Sequence, residues 1–343
     1  MESWKFFKVL LDWIDRIRHR STSAICRKST FYGGRIMTAE TNANQVKIEP
    51  HKELVWKNVI LLTFLHLASL YSLYLTLFRI QWKTIIFSTF YGMTAGLGVT
   101  AGAHRLWCHR SYKATLLLRI LLCIFNCMAV QTDIYDWCRD HRVHHKFSET
   151  DADPHNSNRG FFFSHMGWLF YKKHPDVITK GKTVDLSDLL ADPVVRFQRK
   201  FYIPLSILFG FLIPAFIPYR FWNEELITAL FVTGIGRYTV LLHSTWAVNS
   251  IAHLYGYRPY DKNINARENW FVTLFAMGEG FHNYHHTFPW DYSTSEFGKL
   301  CNLSTAFIDL MAWLGLAYNL KTASGNIIKN VKENRGKTAK KEY

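Results

Sequence analysis

Eight histidines fall into three short clusters. His-Arg-Leu-Trp-Cys-His carries His104 and His109, His-Arg-Val-His-His carries His141, His144 and His145, and His-Asn-Tyr-His-His carries His282, His285 and His286. In the two H-x-x-H-H clusters, offsets of three and four put the imidazoles on one face of a helix. Two such triplets can converge on one volume. The offset of five between His104 and His109 separates the rings by roughly 140° on a straight helix, so that pair works better where a helix is ending. Imidazole suits Fe, Zn, Cu and Ni. Eight such ligands are too many for one tetrahedral zinc, and the set points to two metal ions. The scattered His19, His51, His66, His155, His165, His174 and His243 read instead as ordinary polar core or surface residues.

The elements that must position these clusters are apolar. Stretches at about 58–78, 84–103, 201–221 and 226–252 each approach the length that crosses hydrocarbon. Pro204, Pro214 and Pro218 are placed to bend or end the third. For all three clusters to meet, residues 115–131, apolar but interrupted by Arg119, must not cross; they lie in the interface or pack on an aqueous portion. Four spans then put both termini on the histidine side. Lys and Arg are dense in the N-terminal segment, the middle loop and the tail, and sparse in the two opposite loops, so the positive-inside rule makes that side cytosolic. The expected fold is all-α: a four-span membrane protein with a cytosolic helical cap carrying a histidine-rich di-metal site.

Composition agrees. Of 343 residues, 49% are hydrophobic and 16% aromatic, while mean hydropathy is near zero, so polar portions balance the spans. A net charge of +15 is compatible with nucleic acid, anionic lipid or an anionic soluble partner. No nucleic-acid module is readable, and the spans favour lipid and an anionic substrate. Six scattered cysteines without a C-x-x-C pair read as reduced thiols, with Cys123 and Cys127 sharing a helix face. Residues 1–52 are a basic, partly flexible segment without a clear signal peptide; an amphipathic helix around Trp4–Ile14 suits the membrane surface. The tail from Lys321 reads as basic and mobile, and Lys340-Lys341 matches a signal for retrieval to the endoplasmic reticulum.

With Thr150-Asp151-Ala152-Asp153-Pro154-His155-Asn156 and Gly278-Glu279-Gly280-Phe281 preceding the third cluster, the chain resembles membrane acyl-CoA desaturases of the stearoyl-CoA type and their insect relatives. The resemblance runs from about residue 53 to 322 and is specific, because the motifs occur in order at the expected separations. It implies a di-iron centre that uses O2 to remove two hydrogens from a fatty acyl-CoA, with Δ9 as the default position. It also implies His253 as a ninth ligand, beside the eight clustered histidines, and Asn249 approaching one iron through water. Glu149, Asp153 and Glu279 are candidates to orient the ligand rings.

The same resemblance assigns substrate contacts. Arg139, Asp140, Lys172 and Lys173 align with residues that contact CoA, Lys replacing Arg at the first of the lysine pair; Asn58 is a further candidate. Gln131, Trp137, Thr245 and Trp246 align with residues that shape the bend of the acyl tunnel. Gly92 and Gly96 stand near the tunnel's far end, where larger residues are common in the family, although their G-x-x-x-G spacing by itself reads as helix packing. No His-Pro-Gly-Gly haem signature is present, so electrons would come from separate cytochrome b5 and its NADH-dependent reductase, drawn to a basic face. Two other readings share parts of the pattern: a membrane fatty acyl hydroxylase with the same metal chemistry, and a His-rich metal transporter, which would need polar ligands within the spans.

Overall fold

The computed structural model describes residues 53–336. The expected surface helix near the N-terminus, His19, His51, Cys26 and Lys340-Lys341 lie outside the described residues.

Four long helices carry the apolar stretches: α1 (Trp56–Phe78), α2 (Trp82–Cys108), α5 (Pro193–Trp222) and α6 (Leu226–Leu254), with α3 (Leu116–Ala129) and α4 (Ile134–Phe147) between the second and third of them. Their outer faces are hydrocarbon-like. On α1, Ile60, Phe64, Leu67 and Phe78 each stand more than 60% exposed, an arrangement that lipid stabilises and water does not. The two hairpins α1–α2 and α5–α6 are tied at one end. Buried Glu224 accepts bonds there from Gln81 N (3.0 Å) and Thr84 Oγ1 (2.6 Å), and Trp222 donates to Thr84.

The helix that carries the third apolar stretch is longer than the stretch itself. Pro193 opens α5 behind an Asp192 cap, and the chain kinks at Phe201, three residues before Pro204. Proline removes a donor and crowds the preceding turn. Pro214 and Pro218 neither end the helix nor interrupt its run to Trp222.

α3 (Leu116–Ala129) begins on a Thr115 cap and stops at Val130, whose φ is +56°. α4 (Ile134–Phe147), capped by Asp133, leaves at 82° to it. The 115–131 stretch therefore does not continue as one straight span. α3 and α4 share a core with the end of α2 and with helix α8 (Leu303–Trp313): Leu118, Leu122, Ile134, Cys138 and Ile308 are each fully buried. α7 (His282–Thr287) brings the last histidine cluster to the same end of the bundle.

The segment after Lys321, which composition alone reads as mobile, instead contains α9 (Gly325–Arg335). Ile328 and Val331 pack on Tyr260, Tyr284 and Phe288, and Lys332 pairs with Glu296 at 2.6 Å. The described cysteines are free thiols; Cys123 and Cys127 both lie on α3.

Candidate metal centre

The offset of five in the first cluster is resolved by backbone geometry. α2 widens into a π-helix from Gly98 to Cys108, and the amide of His109 bonds to the carbonyl of His104 at 3.0 Å. In an i→i+5 turn residues five apart return to one side, and the two rings sit 4.8 Å apart. The helix also ends there, with His109 as its C-cap.

Nine imidazoles converge in two groups. His104, His109, His141, His145 and His285 form one, and His144, His253, His282 and His286 the other, the ligand atoms of each lying within 4.8 Å of one another. Each H-x-x-H-H triplet is divided between them. His144 and His145, adjacent on α4, go to different groups, as do His285 and His286 on α7. The Nε2 atoms face inward: His104 to His285, His109 to His141 and His145 to His285 are each 3.0 Å, His253 to His282 is 2.9 Å, and His282 to His286 is 3.1 Å.

Three carboxylates hold rings from behind. Nδ1 of His104 meets Glu279 (3.0 Å), Nδ1 of His144 meets Asp153 (2.9 Å), and Nδ1 of His253 meets Glu149 (2.9 Å). Each pairing places the proton on Nδ1 and leaves the Nε2 lone pair free for a metal. Burial would raise the Glu279 carboxyl, but the Arg105 guanidinium and His104 hold it at about 2. Asp153 lies well below the carboxylate range because His144 and His155 outweigh its burial. Burial, then repulsion among the neighbouring rings, pushes His109, His141, His145, His282, His285 and His286 well below the usual histidine value. Neutral, inward-facing Nε2 atoms are a donor set that fits two metal ions. Packed against one another without metal, they could not all be satisfied, since a neutral ring offers one donor and one acceptor.

The support reaches further out. Arg105, fully buried, donates to Glu279 (2.8 Å), Thr305 (2.9 Å) and the carbonyl of Tyr292 (3.0 Å). Asp153 also accepts from the amide of Glu149 (2.9 Å), whose φ is +62°. The Gly278-Glu279-Gly280 turn needs its glycines: Gly278 has φ +104°, and a Cβ on Gly280 would fall within the backbone of Asn269 and Thr273.

Arg105 and His155 are the residues that sequence reasoning missed. Arg105 sits inside a motif dominated by histidines. His155, read as an ordinary polar histidine, lies 4.3 Å from the ring of His144 and within reach of Asp153. His174 is a half-buried helix cap. His66, His243 and His165 make a row, with nitrogens 3.2 and 3.0 Å apart, that ends on Ser250.

A cavity opens on the histidines. His104, His141 and His282 share its wall with Trp137, Thr245 and Asn249, and Gly96 lies along the same cavity. Gln131 donates to Thr245 at 2.9 Å, and Trp137 stacks on His141. Trp246 is buried among Leu62 and Leu242 beside His165 and His243, outside that wall. Gly92 and Gly96 do not receive a neighbouring helix backbone, as G-x-x-x-G packing would require. Arg237 fills the space at Gly92, and Met277 and Leu241 fill it at Gly96.

A second cavity, about 720 Å³ and open to solvent, is lined by Arg139, Asp140, Lys173 and Lys182. Arg139 pairs with Asp136 (2.7 Å) and Asp140 (3.0 Å), and Lys173 with Asp140. Lys172 lies away from it, paired with Glu53, and Asn58 donates to the carbonyl of Leu169.

Comparison with known proteins finds a family match and close relatives. A family profile described as fatty acid desaturase matches residues 80–308. The chain is 58% identical to stearoyl-CoA desaturase 5 of Bos taurus over 285 residues, covering 83% of this chain and 85% of that protein. It is 53% identical to an acyl-CoA Delta-9 desaturase of Acheta domesticus (87% and 84% covered) and 54% identical to an acyl-CoA Delta-12 desaturase of Tribolium castaneum (85% and 83% covered).

Proposed function

The chain belongs to the fatty acid desaturase family, and from that premise we propose that it is an O2-dependent acyl-CoA desaturase acting on a long-chain saturated acyl-CoA. In the reaction two C–H bonds on adjacent methylenes break and a C=C bond forms. O2, two electrons and two protons, together with the two hydrogens removed, become two molecules of water. The nine histidines would hold two irons, five around one and four around the other, with Asn249 near the cavity wall. Iron bound there supplies the oxygen activation that unactivated C–H bonds require.

The observation that carries this reading is the cavity shared by His104, His141 and His282 with Trp137 and Thr245, since it gives an acyl chain access to the metal-binding face. The protein's own groups do the rest. Glu149, Asp153 and Glu279 fix ring orientation. Gln131, through Thr245, and Trp137 shape the wall. Arg139, Lys173 and Lys182 offer cations to the phosphates of CoA at the solvent-open cavity; Lys172 and Asn58, outside that cavity, are further candidate contacts.

Δ9 is the position we assign, following the stearoyl-CoA type. Electrons would come from cytochrome b5 and its NADH-dependent reductase, attracted by a chain of net charge +15. The site would face the cytosol from the endoplasmic reticulum membrane, with both termini on that side. Expression in cells lacking their own desaturase, followed by location of double bonds in the fatty acids, tests the reading. A new Δ9 monounsaturated acid that disappears with His285→Ala supports it. A Δ12 product would move the regiochemistry to that of the Tribolium relative, and a hydroxy acid would replace desaturation with hydroxylation.

A further inference from the structure

Two cavities meet along a shared wall that includes Met277. The cavity beside the histidines is small, about 60 Å³. A groove of about 550 Å³ lies between α1, α2 and α6, and it shares Leu241, Ser244, Phe275 and Met277 with the first. The groove also touches Ser72, Ser88, Gly92 and Val240. It opens sideways, because Leu73 (54% exposed) and Val240 (66%) on its rim face outward from the bundle.

Within that wall Met277 comes nearest to Gly96. Its Sδ lies 2.9 Å from where a Cβ on Gly96 would stand, and its terminal methyl is closer still. The thioether therefore rests directly on the bare face of Gly96, at the boundary between the metal-facing cavity and the groove.

The backbone under this side chain is fixed. Met277 has φ +57°, and its carbonyl accepts from both the amide (3.3 Å) and the hydroxyl (3.1 Å) of Ser304. Two residues later Glu279 holds His104, so moving this backbone would disturb the metal site. The side chain is free of that constraint. Methionine is unbranched, with three rotatable bonds, and adapts to irregular gaps.

We propose that Met277 is a side-chain gate that sets acyl chain length, swinging away from Gly96 so that the methyl end of a long chain passes into the groove among α1, α2 and α6. Short chains end against the closed thioether. Long chains displace it and lie in the groove, whose open side meets lipid tails. This rests on the desaturase reading, because it takes the reacting methylenes to sit beside the histidines.

The test supplies saturated acyl chains from fourteen to twenty-two carbons to desaturase-deficient cells and reads the ratio of long to short unsaturated products. The variants are Met277→Ala, Val240→Trp, the double variant, and Leu77→Trp as a control on an exposed face of α1 outside the groove. A ratio is insensitive to how much protein folds. Met277→Ala raises the ratio by roughly tenfold, a usual scale for a methylene or two in an apolar pocket. Val240→Trp, which narrows the groove, lowers it, and the double variant stays low. Leu77→Trp matches the parent. Unsaturated products whose ratio is moved by neither Met277→Ala nor Val240→Trp overturn the gate alone. No unsaturated product from the parent at any length overturns the desaturase reading and the gate with it.

Discussion

His109 stands one π-turn beyond His104, its amide bonded to the His104 carbonyl at 3.0 Å. On a straight α-helix the two rings would diverge. The widened turn returns them to one side, where both join the five-histidine group. The π-helix is rare, and short π segments frequently mark functional sites. The surrounding packing sustains it: Tyr112 donates to the carbonyl of Ala101, and Arg142 donates to the carbonyls of Trp107 and Cys108.

Replacing Glu149 by Gln tests the carboxylates behind the rings. Gln keeps an acceptor for His253 Nδ1 but removes the charge. Metal affinity and desaturation are expected to fall by roughly 10- to 100-fold, the usual range for such partners. Metal content per chain, measured beside activity, checks it. Full metal content with full activity would show that His253 needs no charged partner.

Metal removal follows from the same geometry. With a chelator the inward-facing Nε2 atoms lose their common partner, and the thermal midpoint should fall; ferrous iron should restore it. A ligand present at a hundred times its Kd stabilises by about 2.7 kcal/mol. Unchanged melting after verified metal loss would mean that packing alone holds the cap.

At the solvent-open cavity, Lys173→Ala and Lys182→Ala should raise KM for acyl-CoA with little change in kcat. Losing one charge-assisted contact corresponds to roughly tenfold. The effect should shrink at high salt. Steady-state kinetics at two ionic strengths measure it, and a fall in kcat at constant KM would place these lysines elsewhere in the cycle.

Glu268 gives a pH dependence separate from the metal ligands. Burial raises its carboxyl to about 8, although it accepts the amide of Tyr284 at 2.8 Å. The folded state thus keeps a proton that the unfolded chain loses near its ordinary value of 4.5. Stability is full below pH 4.5 from this group and is lost as pH rises to about 8, by up to about 1.4 kcal/mol per pH unit. Glu268→Gln retains the acceptor and should flatten that slope, stabilising the protein at pH 8. Melting curves of parent and variant across pH 5–8.5 decide it.

Much of the site was legible because its signals are local. The offsets of three and four from His141 to His144 and His145, and from His282 to His285 and His286, place the rings on one helix flank, whatever the rest of the chain does. Apolar length marks α1, α2 and α6 to within a few residues. The start of α5 was less visible: Pro193–Lys200 is amphipathic, and only the kink at Phe201 separates it from the apolar run. Helix α9 was missed because its Lys-rich composition resembles a solvated tail, while the apolar contacts of Ile328 and Val331 lie with Tyr260 and Tyr284 far earlier in the chain.

The sequence by itself determined the eight clustered histidines, the four apolar helices and the requirement that the three clusters meet at one end; His253, the ninth, stood out only through the family resemblance. These rest on residue type and spacing, which act over a few residues. Only the tertiary structure decided that His144 and His145 serve different groups, that Arg105 anchors Glu279 behind His104, and that Met277 lies on Gly96. Each of the last two relationships joins residues more than 170 positions apart, and their contact depends on how α2 and the Gly-Glu-Gly turn pack, a property of the assembled fold rather than of any local stretch. The division of the triplets has the same origin: adjacent side chains on a helix point about 100° apart, and which neighbour each one meets is set by the helices packed around it.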